Sequence, residues 1–83
     1  MDARRKRLLY RFQHCGMKEN DFLLGEFAAR HVESLSEDEL GLFEALLDET
    51  DNDLYNWFTG REPLPARLDN PLTRKIVEDC ANR

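Results

Sequence analysis

Between Leu8 and Cys80 the apolar residues recur at spacings of three and four, and over no useful length do they alternate at two. A chain patterned this way buries helix stripes and not sheet faces, so the expected fold class is all-α. Start and stop signals divide it into five helices. From Ala3 to His14, Leu8, Phe12 and Cys15 fall at i, i+4 and i+7 with Leu9 beside them, and the arginines take the other faces. Gly16 interrupts the pattern, as a glycine just past a helix end commonly does. A second stripe from about Glu19 to His31 runs through Leu23, Leu24, Phe27 and Ala28, with Glu19 and Asp21 near the positive N-terminal end.

The third helix carries the cleanest start signal. Ser36-Glu37-Asp38-Glu39 is a capping box, Leu35 and Leu40 stand where a hydrophobic staple would put them, and Leu40, Phe43, Leu46 and Leu47 form the inner face. Thr50-Asp51-Asn52-Asp53 opens a short fourth helix through Leu54, Tyr55, Trp57 and Phe58, ended by Gly60. Two start signals so close together imply a sharp change of direction. Pro63 and Pro65 make Arg61 to Asp69 an extended connector. Asn70-Pro71 then starts a last helix with Leu72, Ile76, Val77 and Cys80 inward. The expectation is one small bundle of five helices over residues 1–83. A domain of this length buries only about 60 to 65% of the surface its unfolded chain exposes, which leaves little room for a deep cofactor cavity.

Composition narrows the function classes. Apolar residues make up 41% and charged residues 35%, as in a folded domain. No apolar run approaches the roughly 20 residues that cross a bilayer, and Met1 to Arg7 leads into no signal-peptide core, so no membrane segment is expected and the protein should stay where it is made. Cys15 and Cys80 form no short-spaced pair, which favours free thiols in a reducing compartment, a cytoplasm or a matrix, and the bacterial cytoplasm is the expected location. With His14 and His31 they match no zinc spacing, and no metal site is expected. The four glycines are isolated, so nothing cradles a pyrophosphate. Ser34 and Ser36 read as capping groups, and Glu19 with Asp21 lacks the cleft that acid/base work needs. No catalytic residue is assigned.

The net charge of −5 is unevenly spread. Met1 to Arg11 holds five basic residues and one acidic one, whereas Glu33 to Asp53 holds nine acidic residues and no Lys or Arg. An electrically polarised molecule is expected. An acidic chain is repelled by phosphate backbones, so nucleic-acid binding would rest on the N-terminal cluster alone; a solvated first helical turn is the plainer reading, and steering of a protein partner is a third.

Gly16-Met17-Lys18-Glu19 followed by Asp21, then Ser34-Leu35-Ser36-x-Asp38-Glu39, Leu46-Leu47 and Asp51-x-Asp53-Leu54-Tyr55-Asn56-Trp57 resemble in order and spacing the succinate dehydrogenase FAD assembly factors. Gly-x-x-Glu alone carries little weight. With Asp-Leu-Tyr-Asn-Trp at the expected distance, the resemblance extends from about Arg7 to Val77. It implies a five-helix assembly chaperone, a monomer when free, that binds the flavoprotein subunit of succinate dehydrogenase and promotes covalent attachment of FAD to it. Fumarate reductase, with the same kind of subunit, is a second client the resemblance admits. FAD is then the client's cofactor, this chain binds none stably, and the chemistry belongs to cofactor and client.

The implied partner-binding residues are Cys15, Gly16, Met17, Lys18, Glu19 and Asp21. The family's motif usually begins with arginine, and Cys15 stands in its place here. A thiol offers neither the charge nor the fork of donors of a guanidinium. Either Arg11 or Lys18 supplies that charge, or Cys15 marks a subgroup with different contacts. Plainer readings stand beside these: Gly16 as a helix C-cap, Glu19 complementing a helix dipole, Cys15 as a small filler, and, where Trp57 and Tyr55 could be interface anchors, the lone Trp57 as a core residue. Two other classes stay open, the antitoxin half of a toxin pair and a nucleic-acid binder dominated by Arg4, Arg5 and Arg7.

Overall fold

A computed structural model describes residues 1–83. The five expected helices are present: α1 Ala3–Gln13, α2 Lys18–His31, α3 Glu37–Ala45, α4 Asp51–Phe58 and α5 Pro71–Ala81, with no strand. Their starts follow local chemistry. Asp2 accepts from the Arg5 amide at 2.8 Å to begin α1. The Ser36 box closes reciprocally, Glu39 N–H to Ser36 Oγ at 3.1 Å and Ser36 N–H to Glu39 Oε1 at 2.9 Å, with Leu35 and Leu40 both buried. Thr50 caps α4, and Asn70 forms a second box with the buried Thr73.

Three 3-10 turns lie between the helices, at Val32–Ser34, Leu46–Asp48 and Ala66–Leu68. The last corrects the extended connector: the chain turns after Pro65 and buries Leu68. The first helix is also shorter than its apolar pattern, ending at Gln13, so Cys15 lies beyond it and is only half-buried.

One core of 16 buried apolar residues joins all five helices. At its centre the Phe12 and Phe43 rings stack at 4.0 Å and Phe27 meets Phe43 edge-on at 5.6 Å. Helices α1 and α2 approach closely at Gly25, where a Cβ would lie 3.0 Å from the Phe12 carbonyl oxygen. Trp57 belongs to this core, whereas Leu23, Leu47, Val77 and Cys80 are only partly buried at its edge.

The expected charge separation is reduced by internal pairing. Arg4 bridges to Glu37 at 2.8 Å and Glu44 at 3.4 Å. Arg5 turns inward: Nε donates to the Val32 carbonyl at 3.0 Å, Nη2 to the Leu35 carbonyl at 2.6 Å, and Nη1 to Asp2 at 2.5 Å. Part of the basic cluster thus ties α1 to the α2–α3 connection and to acidic α3.

Candidate functional site

The corner between α1 and α2 is built from its own polar groups. Gly16 has φ +97, a conformation that residues with a Cβ resist, and this reverses the chain between the two helices. The Cys15 amide donates to the Asp21 carboxylate, and the Cys15 thiol turns back to the Phe12 carbonyl at 3.2 Å. Met17 precedes α2 without a side-chain cap, and its carbonyl accepts from the Asn20 and Asp21 amides at 3.0 and 3.1 Å.

Asn20, fully buried, carries the corner onto α4. Its Nδ2 donates to the Asp51 carbonyl at 2.7 Å, while Oδ1 has no partner. A Cβ on Gly16 would lie 3.4 Å from an Asp51 carboxylate oxygen, so the turn rests directly on the first residue of α4. Burial, with Asp21 and Asp51 alongside, pushes the Cys15 thiol up to about 12, and the more weakly acting Arg11 opposes this. The thiol is therefore neutral and unsuited to nucleophilic work.

The sequence-derived residues divide into two groups. Gly16, Lys18 and Glu19 are exposed, and neither Lys18 nor Glu19 has a side-chain partner within the chain. Cys15, Met17 and Asp21 are half-buried, and Asp21 is engaged in holding the turn. Lys18 and Glu19 open onto a shallow groove of about 400 Å³ between α2 and α4, completed by Phe22, Leu23, Tyr55 and Thr59. Of the two cations weighed for the corner, Lys18 faces this groove, whereas Arg11 lines a separate cleft with Cys15 and Asp51.

Two contributors were missed from sequence. Phe22 is 59% exposed, with the Arg83 guanidinium 5.7 Å from its ring centre. Its signal was available: it falls outside the Leu24, Phe27, Ala28 stripe yet stands three residues after Glu19, on the same helix face. Asn20 gave no such signal, because a polar residue among Lys18, Glu19 and Asp21 reads as solvated. The histidines and cysteines considered for a metal are not gathered, and no three His, Cys, Asp or Glu side chains form a metal-binding group. No helix is long and apolar enough to cross a membrane.

Residues 6–80 match the family described as "Flavinator of succinate dehydrogenase". The protein named FAD assembly factor SdhE in Acetobacter pasteurianus is 39% identical over 81 residues, covering 98% of this chain and 74% of that protein. The mitochondrial succinate dehydrogenase assembly factor 2 of Dictyostelium discoideum is 35% identical over 78 residues, covering 94% of this chain and 55% of its own. Its Candida glabrata namesake is 39% identical over 82 residues, 95% and 54% of the two chains. The chain thus spans between 54% and 74% of the length of these relatives. With 75 of its 83 residues inside the matched range, the chain belongs to the family of flavinators of succinate dehydrogenase.

Proposed function

We propose that this chain is a non-catalytic assembly factor that binds the flavoprotein subunit of succinate dehydrogenase and promotes covalent attachment of FAD to that subunit. The observation that carries the reading is the juxtaposition at the α1–α2 corner. An exposed Glu19 and Lys18 beside a rigid Gly16 turn open onto an apolar groove with an exposed aromatic residue at its edge. Such a surface offers a partner a fixed charged point and an adjacent hydrophobic seat.

FAD is held by the client in this reading. The residues at the corner support that division, because the carboxylates of Glu19, Asp21 and Asp51 around the turn disfavour a phosphate-bearing ligand there. The neutral Cys15 thiol supplies no nucleophile, so the linkage chemistry is left to cofactor and client. The factor acts as a monomer before it meets its client, in the bacterial cytoplasm. The flavoprotein subunit of fumarate reductase is a second client to test.

Co-expression with the cognate flavoprotein subunit should increase covalent flavin fluorescence of that subunit in denaturing gels, and Glu19→Ala should abolish the increase. Equal fluorescence with and without the factor would refute the proposal. Repeating the measurement with the fumarate reductase subunit sets the client range.

A further inference from the structure

The molecule has twelve Lys and Arg residues, and their side-chain partners separate them sharply. Arg4, Arg5, Arg30, Arg67, Arg74 and Arg83 are each held in an ion pair within the chain. Arg11 is not. It is exposed in the last turn of α1, and its guanidinium makes no internal hydrogen bond or ion pair. Its backbone is fixed, since its carbonyl accepts from the His14 amide at 3.3 Å.

Arg11 also occupies a particular place. With Arg7 it forms one wall of a cleft of about 470 Å³ between α1 and α3, and with Cys15 and Asp51 it lines a smaller one of about 90 Å³ at the corner. Arg11 and Leu47 line both, so the two clefts adjoin at Arg11. None of the nearby acids is ion-paired with it. Glu49 is taken by both terminal nitrogens of Arg67, at 2.8 and 2.9 Å, and Glu44 by Arg4 at 3.4 Å. Asp51 and Asp48 make no ion pair with Arg11 within 4.0 Å. Cys15 leaves the cleft open, because its short side chain is folded back onto α1.

We infer that Arg11 is a partner-contacting residue whose guanidinium takes a carboxylate of the flavoprotein subunit at the cleft side of the corner. This rests on the functional reading above and extends it. A partner straddling Gly16 meets the Lys18 and Glu19 side chains on the groove side and the unpaired Arg11 on the cleft side of one rigid turn. A partner carboxylate seated on Arg11 fixes the direction in which the partner can lie across the turn, because the reversed pose sets that carboxylate beside Glu19. A guanidinium suits the task because its planar fork matches a carboxylate.

The test is binding of the full chain to purified FAD-loaded flavoprotein subunit of succinate dehydrogenase, measured by calorimetry at two salt concentrations. Arg11→Ala should weaken binding by about 10- to 100-fold and flatten its salt dependence. Lys6→Ala, on the same helix but outside both clefts, should leave it unchanged. Arg11→Ala should melt with the unaltered chain, since the side chain holds nothing internally. Adding Cys15→Arg to the Arg11→Ala chain returns a guanidinium to the same cleft and should recover at least about tenfold of the loss. Arg11→Ala binding as tightly as the unaltered chain overturns the assignment of Arg11 alone. A loss that Cys15→Arg does not recover overturns the placement of the contact in the cleft. An unaltered chain that does not bind the subunit overturns the functional reading with it.

Discussion

Replacing Arg5 tests whether the basic start of the chain is a binding surface or part of the scaffold. Its side chain is 16% exposed and donates to two backbone carbonyls, Val32 at 3.0 Å and Leu35 at 2.6 Å, as well as to Asp2. Hydrogen bonds from a charged donor contribute roughly 1.5 to 3 kcal/mol each; the partial exposure here argues for the lower end, and the Asp2 pair adds under about 1 kcal/mol. Arg5→Ala should therefore destabilise by about 2–4 kcal/mol, out of about 4–12 kcal/mol for a domain of this length. At 4–8 °C per kcal/mol for a domain of this size, the melting temperature should fall by roughly 8–32 °C. Arg5→Lys keeps the charge without the fork of donors and should cost about half as much. Arg7→Ala, which removes an exposed side chain with no partner, should stay within about 0.5 kcal/mol. Thermal melts followed by circular dichroism decide the matter. If Arg5→Ala melts within about 2 °C of the unaltered chain, the bonds to Val32 and Leu35 do not hold the α2–α3 connection as argued.

Other perturbations bear on the corner and the ion pairs. Gly16→Ala forces a Cβ onto a backbone at φ +97 and should cost about 1–2 kcal/mol, read in urea melts; an unchanged midpoint would refute the strain. The Cys15 thiol, raised to about 12, should alkylate at pH 8 far more slowly than glutathione, and Asp21→Asn or Asp51→Asn should speed it; native labelling at the rate of a free thiol would contradict its shielding. Arginine partners hold Asp2, Glu49 and Asp69 below their ordinary values of 3.8, 4.5 and 3.8. In the window between folded and unfolded values the unfolded chain binds more protons, so their stabilisation is complete above the ordinary range and is lost as pH falls through the lower folded values. Melting temperatures should therefore drop below about pH 4.5, and a rise there would refute the sign.

What the sequence made legible was local, and what it hid was tertiary. Ser36 and Glu39 sit three residues apart and complete each other's bonds, so the start of α3 could be read without knowing where α3 packs. The Arg5 acceptors lie 27 and 30 residues away and are backbone carbonyls, which no side-chain pattern reveals. Gly25 lies within α2 for a tertiary reason, the close approach of the Phe12 carbonyl of another helix. The 3-10 turns hold three residues each, too few to show a period. At the site, the turn at Gly16 was visible because glycine punctuates the pattern. The inward use of Asp21 and the anchoring of Asn20 on α4 were not, because both depend on where the start of α2 meets its neighbours.

The same pairing limits the nucleic-acid alternative in a measurable way. That reading rested on Arg4, Arg5 and Arg7, and two of the three are engaged inside the fold. On α1 only Lys6, Arg7 and Arg11 remain without an internal partner. Each phosphate neutralised on duplex DNA contributes about −0.9 to the slope of log affinity against log salt, so three free cations allow a slope no steeper than about −2.7. The nine acids between Glu33 and Asp53, only some of them paired, weaken even that contact. A measured slope steeper than about −4 would mean that Arg4 and Arg5 leave their internal partners to bind phosphate, and the scaffold role given to them would be wrong. A shallow slope with weak affinity leaves α1 as a helix whose cations hold the fold, apart from the few that a protein partner can reach.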